Sequence, residues 1–468
     1  MKKFNIQKQD SIHTDTKFMQ KKQHFAKKQA FIFLAILVFN AVATPFCVFA
    51  LELKDVNSKL SDVFASFSDS NEGTTVFRSL NIPTGGRSES LGTAITGLCD
   101  DITFFDYNPA GSAVLSNSEI AFFHNSWIAD SAMETLAATR RNGNFGYGAQ
   151  LKCFYVPFTE YNLFGDKLTG SYYSETSAAF NLAYNFLSGY SFKGIALGMN
   201  AKFAWRNIPD YTDTQSGEII SGSGLEQSSL AAMADFGIFT SFNFLKKFAS
   251  TKPNLRVGLS FSNFGLAFTG FGGSIKIDDP LSSKISAGIS YRPFPILLIS
   301  LEARQPVNLQ DFSEFGKFQA GSGFEITVSE NFSFEGGFLI QGGNPRFSMG
   351  SEFGISKIKM SVCYTLDLTT SANPVNHISL SAKMNFGDRG RSGQLQKVNE
   401  IYIQGLQLYA QGDYDSAIFS WNEAASLAKE YPLNIKYEPA IQARNAAISF
   451  NENKNRLENL QNFSAGQE

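Results

Sequence analysis

The chain has 468 residues, of which 18% are charged and 14% aromatic, with 46 Phe and 39 Gly. Ordinary soluble enzymes carry more charge and less Phe, and a formal net charge of −2 gives no basic surface for nucleic acid. Phe supplies apolar area for a lipid face while Gly permits curved sheet and close backbone approach, so their joint excess favours β structure over helix bundles.

The chain opens on a basic stretch. Lys2, Lys3, Lys8, Lys17, Lys21, Lys22, Lys27 and Lys28 stand against Asp10 and Asp15, so the chain beyond residue 50 is acidic. An apolar run from Ala30 to Val42 follows, and Val48-Phe49-Ala50 puts small or aliphatic residues where a signal peptidase reads. Residues 1–50 are expected to be a signal peptide, started at Met1 or, with a more usual basic region, at Met19. A retained helical anchor is the other reading, although the uncharged stretch falls short of the ~20 residues of a comfortable span. Phe46 is too bulky for Cys47 to serve as a lipoprotein attachment site.

With that leader removed, Cys99, Cys153 and Cys363 remain, an odd number without metal-type spacing. His124 and His377 are too few and too scattered for a His-based metal site or a Ser-His-Asp set. The sequence therefore predicts no metal, no cofactor and no enzymatic activity.

Residues 51–76 read as a periplasmic helical segment, with Val56, Leu60, Val63, Phe64 and Phe67 on one face. Residues 77–117 follow neither helical nor strand period. Gly85-Gly86-Arg87, Leu91-Gly92, Gly97, Asp100-Asp101 and Asn108-Pro109-Ala110-Gly111 punctuate a compact plug there.

Over residues 118–386 the period becomes two. Ile195, Leu197, Met199, Ala201, Phe203 and Trp205 alternate with Ala196, Gly198, Asn200, Lys202, Ala204 and Arg206, and the segments at 255–262, 284–292 and 357–367 repeat the pattern. One face suits lipid and the other a polar lumen. A soluble sandwich also alternates, so loop length decides between them. Brief turns such as Arg141 to Asn144, Pro293 to Pro295 and Ile355-Ser356 alternate with mostly longer loops at 157–172, 206–228, 265–282, 305–315 and 368–375. The prediction is an all-β transmembrane barrel of about fourteen antiparallel strands, with both flanking segments periplasmic. Phe386 closes the last strand as an aromatic assembly signal would.

The run from Leu91-Gly92 through Asp100 to Asn108-Pro109-Ala110-Gly111 resembles the N-terminal hatch of the outer-membrane long-chain fatty-acid transporter (FadL-like) family, and Phe145-Gly146-Tyr147-Gly148-Ala149 looks like that family's third strand. The whole is similar to an uncharacterised spirochaetal branch. Ile82-Pro83 with Arg87 further resembles relatives that serve as barrel subunits of a protein-secretion system. Covering residues 77–386, the resemblance implies a hatch inside the barrel, loading of an amphipathic ligand from outside, and lateral release beside the third strand. It carries over Asn108, Pro109 and Ala110 as the hatch motif, whose bare local reading is an ordinary turn before strand one. Gly146 and Gly148, with Pro157 expected to close the strand, are the candidate lateral-gate positions. Lys152, Lys202, Arg206, Arg256 and Arg292 share the lumen parity. They are expected to be solvated or mutually paired, and none is singled out for a ligand headgroup.

After a linker at 387–396, residues 397–468 turn helical. Ile401, Gly405, Leu408, Gly412, Tyr414, Ala417, Trp421 and Ala424 have the spacing of one tetratricopeptide helix-turn-helix; Pro432 ends the second helix, and a third is predicted near Pro439 to Asn451. This small all-α, tetratricopeptide-like module is read either as a docking surface for a periplasmic protein, with Tyr414 and Trp421 as its marker residues, or as a clamp on the barrel mouth. Typical members of the transporter family end at the barrel.

The sequence thus predicts an outer-membrane transporter for passive uptake of hydrophobic molecules such as long-chain fatty acids. Its partners are the ligand, outer-membrane lipid and a periplasmic protein, with no nucleic acid. The alternative is a barrel scaffold of a secretion or envelope-assembly system.

Overall fold

The computed structural model describes residue 64 and residues 74–465, apart from 162–163, 212, 214–217, 219, 221–222, 249, 251, 272, 313–314, 343 and 369–375. The predicted signal peptide and the apolar face of Val56, Leu60, Val63 and Phe67 lie outside the described residues.

Period-two sequence becomes sheet over β1 (Glu119–Ser126), β2 (Ala132–Asn142), β3 (Phe145–Tyr161), β4 (Lys167–Phe186), β5 (Ile195–Asn207), β6 (Ser229–Phe242), β7 (Leu255–Thr269), β8 (Lys276–Ile277), β9 (Ser283–Phe294), β10 (Leu297–Val307), β11 (Gln319–Ser329), β12 (Phe332–Gln341), β13 (Asn344–Ile355), β14 (Ile358–Asp367) and β15 (His377–Asn385). Apart from the two-residue β8, which hangs on β7, each strand pairs antiparallel with its neighbours in the chain. Pairing of β1 with β15, from Glu119↔Asn385 to Ser126↔Ile378, then closes the ring. The result is the predicted closed barrel of fourteen strands.

Closure leaves no sheet edge within the ring, so side-chain chemistry alone decides what each face meets there. Outward positions carry Phe122, Leu136, Leu151, Phe180, Leu182, Phe203 and Leu301, all exposed. Inward positions on the same strands are buried and small or polar, among them Ala121, Asn125, Thr135, Asn181, Asn200 and Glu302. An apolar exterior on a closed ladder is the surface a lipid bilayer solvates. No helix among the described residues is long and apolar enough to cross a membrane.

Two local expectations need correcting. Pro157 does not close β3, which runs on to Tyr161 with Pro157 opposite Tyr172 of β4. Pairing with β2 stops at Ala132↔Tyr155, so Pro157 stands where β3 has a partner on one side only, and an edge tolerates its missing N–H. The predicted linker is also half helical. α1 (Arg391–Ala410) starts inside it because the Asp388 carboxylate accepts the backbone N–H groups of Gly390 (3.0 Å) and Ser392 (2.7 Å), satisfying donors that a helix start leaves free.

α2 (Tyr414–Leu427) packs on α1, and α3 (Glu438–Ala465), longer than predicted, follows. Asp413 caps α2 by accepting the Ser416 N–H at 3.1 Å, and hydrogen bonds from Ser416 hold its carboxyl below the usual carboxylate range. At the centre lies Trp421, 2% exposed, its Nε1 donating to the Tyr402 carbonyl at 3.2 Å. Gly405 admits it: a Cβ there would lie 2.5 Å from Nε1. The loop between α2 and α3 sits on the β2–β3 and β4–β5 turns. Tyr190 N–H donates to the Lys436 carbonyl (2.8 Å) and the Glu438 carboxylate (2.9 Å), and its ring centroid lies 4.5 Å from that of Tyr437.

Trp421→Ala is expected to remove ~3–5 kcal/mol from the helical module alone. Denaturant titration followed by circular dichroism should show the helical transition moving to lower denaturant with the β signal unmoved. An unchanged helical midpoint contradicts this packing.

Candidate functional site

Residues 76–117 enter the barrel and fill its lumen as short helical turns, Arg87–Ser90, Phe104–Tyr107 and Pro109–Ala113, joined by buried coil. A backbone folded this irregularly needs partners for its donors and acceptors, and the wall supplies them. Ser379 Oγ accepts the Gly86 N–H (2.9 Å), Ser361 Oγ the Arg87 N–H (3.1 Å), Glu302 the Thr96 N–H (2.8 Å) and Glu119 the Ile102 N–H (3.1 Å). In the reverse direction Asn200 donates to the Phe105 carbonyl (3.0 Å) and Ser290 to the Gly97 carbonyl (2.9 Å).

Asn108 sits at the focus of this seat and is wholly buried. Its side-chain oxygen accepts the Ala110 N–H at 3.2 Å, capping the turn that Pro109 begins, while its Nδ2 donates to Thr96 O (2.9 Å) and to Ile238 O of β6 (3.0 Å). Asn181 of β4 donates to the Pro109 carbonyl (2.9 Å), and Ala110 packs with Ala183 and Ala196. The motif therefore fastens the lumen segment to itself and to the wall.

Close approach explains the glycines. At Gly146, Gly198, Gly237, Gly258, Gly288 and Gly337, on six different strands, an added Cβ would lie 2.0–2.5 Å from an atom of the lumen segment. Real Cβ contacts stay beyond about 3.0 Å, so the wall is notched by the absence of side chains where the segment presses against it.

Charge completes the seat. Arg87 reaches Asp100 (2.8 Å), Asp101 (3.3 Å) and Glu325 of β11 (2.6 Å), and Lys383 of β15 joins Asp101 (3.0 Å) to Glu352 (2.6 Å). The five lumen cations read from sequence are each paired: Lys152 with Asp106, Lys202 with Asp235, Arg206 with Asp278, Arg256 with Asp100 and Arg292 with Glu325. Glu89 is held by His377 and Ser379. Among the described residues no group of three His, Cys, Asp or Glu is placed to hold a metal.

Residues 55–389 match the model described as "Uncharacterised protein family (UPF0164)". The chain belongs to that family. One UPF0164 protein of Treponema pallidum (strain Nichols) is 30% identical over 362 residues, covering 75% of this chain and 78% of the relative. A second from the same organism is 29% identical over 365 residues, covering 76% and 72%. Among solved structures, the Ralstonia pickettii toluene transporter TbuX is similar at a TM-score of 0.42 and 12% identity, over 64% of this chain and 98% of that one. A Pseudomonas aeruginosa FadL homologue scores 0.35 at 9% identity, over 65% and 99%. Likenesses of this size say nothing of what the UPF0164 barrel takes up.

In this UPF0164 chain the other sequence-derived positions are placed as follows. Gly146 and Gly148 stand in an unbroken stretch of ladder, opposite Arg141 and Thr139 of β2 and Ala183 and Asn181 of β4, with the Ser112 backbone behind the first and the Phe105 ring near the second. Trp421 is enclosed by its own module, so a partner protein meets it only through its neighbours. Tyr414, half-buried, packs between Tyr409 and Phe450. Sequence reasoning missed the pairing of wall glycines with the lumen segment, and it passed over Lys284, which has the same lumen parity as the paired cations.

Gly237→Val is expected to unseat the lumen segment: trypsin should cut the folded protein between residues 76 and 117, and conductance in planar bilayers should rise. Gly170→Val, at a position with nothing within 4 Å of an added Cβ, should leave both unchanged. Equal protection of the two variants overturns the glycine seat.

Proposed function

We propose that this chain lies in the outer membrane and carries hydrophobic molecules, long-chain fatty acids among them, inward by passive diffusion past residues 77–117, which act as a hatch. The observation that carries the reading is an apolar hollow of about 520 Å³ across β7–β12. Outward-facing Val257, Ala287, Ile289, Leu301, Ala303, Ala320, Phe338 and Ile340 line it. Directly behind, Gly258, Gly288 and Gly321 lie against the lumen segment, so only a wall without inward side chains separates that segment from the hollow. An apolar solute released sideways finds a berth there without entering water. Release beside Gly146 and Gly148 and release at the hollow each require an intact ladder to part; the hollow adds an apolar berth on the lipid side.

A second reading, a scaffold that recruits a periplasmic protein through a tetratricopeptide-like repeat, is favoured by α3, whose Leu457, Leu460 and Phe463 are 61%, 66% and 69% exposed. The module's seat on the β2–β3 and β4–β5 turns places it on one end of the barrel, and this reading makes that end periplasmic.

The test locks the hatch. Ser90 Cβ and a Cβ built at Gly350 of β13 lie 2.8 Å apart, a small shift from the ~3.5–4.5 Å of a disulfide. In a chain with Cys99, Cys153 and Cys363 changed to Ala, S90C/G350C should pass radiolabelled palmitate into proteoliposomes when reduced and stop when oxidised. Equal flux in both states overturns hatch-gated uptake. Absence of flux even without the lock, together with a stoichiometric periplasmic partner on residues 391–465 of the intact chain, favours the scaffold.

A further inference from the structure

Every lumen cation named above faces a carboxylate, and so does Arg304, whose Nε lies 2.7 Å from Glu302. Lys284 of β9 departs from this rule. Among the described residues its ammonium donates to the neutral amide oxygen of Asn81, at 3.5 Å, and no carboxylate forms an ion pair with it. The neighbours it shares a small crevice with, Lys152, Lys202 and Asp106, are already joined to other partners or to each other. Glu302 and Asp106 act on Lys284 from a distance, but so do the cations Arg304 and Lys202, and a partly enclosed ammonium without a directly paired carboxylate is costly unless a counter-charge arrives.

On its other side Lys284 faces a cavity of about 130 Å³ at the barrel end opposite the helical module. A water needs ~10–15 Å³ by this measure, so the space takes a molecule of several heavy atoms rather than a single ion. Arg78 and Lys317 also line it, no described lining residue is acidic, and hydrogen-bonding side chains such as Thr75, Ser282 and Gln319 make up much of the rest. Leu281, Pro306 and Val307 are its apolar part, and a space of this volume is too small to draw a long acyl chain out of lipid.

We infer that this cavity binds a small hydrophilic anion, a carboxylate or a phosphate, whose charge pairs with Lys284. Lys284 selects the charge, the amides and hydroxyls satisfy the remaining oxygen lone pairs, and the size excludes a long aliphatic body. The site stands apart from the hollow on the lipid face and does not depend on hydrophobic passage.

The experiment uses the full chain in a neutral maltoside micelle, with succinate, inorganic phosphate and the uncharged succinamide as probes in calorimetric titration. Saturable binding of succinate or phosphate is expected, with succinamide silent; which anion binds tells the carboxylate source from the phosphate source. Lys284→Met should weaken that binding about tenfold or more, while Lys284→Arg keeps it within a few-fold, as loss of one charge-assisted contact requires. Circular dichroism reads the β signal of each variant, so a misfolded protein is recognised. Failure of the folded wild type to bind either anion, equal binding by succinamide, or undiminished binding by K284M overturns the inference. Palmitate flux, measured separately in the wild type, succeeds or fails independently.

Discussion

A strand ladder that closes between β1 and β15 satisfies its own backbone donors and acceptors, and the rest of the molecule follows from that closure. Once no edge remains, the outward face is free to be Phe- and Leu-rich, because lipid asks nothing of the backbone behind it. Alternation then commits the inward face to small and polar residues. Residues 76–117 fill that lumen with hydrogen bonds and ion pairs to its polar positions, and with apolar clusters such as Ile102, Phe104, Phe105 and Leu115 against Ala121, Phe123 and Ala137. Their irregular backbone meets wall backbone directly where the wall has no side chain, and the glycine notches are the imprint of that fit.

The charges add both hold and tension. Arg87, Asp100, Asp101, Glu325, Glu352 and Lys383 form a connected set between the lumen segment and strands β11, β13 and β15. Separating one member of a buried pair costs about 3–5 kcal/mol, so several such pairs hold the segment in its seat. Any displacement of the segment has to exchange these contacts in steps or leave most of them in place. The contacts at Gly258 and Gly288 are tied to the same set, since Arg256 of β7 holds both the Leu98 carbonyl and Asp100, a partner of Arg87.

Much of this was legible in the sequence. Ile195 through Arg206 alternate in the chain as their side chains do in the barrel, because strand period is a local property. The Asn108-Pro109 turn was equally visible, as was the helical spacing around Trp421. What could not be read is tertiary. Nothing near Gly198 or Gly237 announces that Pro109 and Asn108 press against them, and Lys284 looks like Lys202 until the positions of Asp235 and Asn81 are known. Pro157 misled because its effect depends on where β2 stops. The early start of α1, by contrast, had a local signal in Asp388 ahead of Ser392.

The membrane-facing cylinder filled by its own N-terminal segment is tested most directly by nitroxide scanning of β5 in lipid vesicles, one label per residue from 195 to 206. The account expects high collision rates with oxygen and low rates with a nickel chelate at 195, 197, 199, 201 and 203, and low rates with both at 196, 198, 200, 202 and 204, where the wall meets the lumen segment. Free access of the chelate to either set, or loss of the two-residue rhythm, would contradict it.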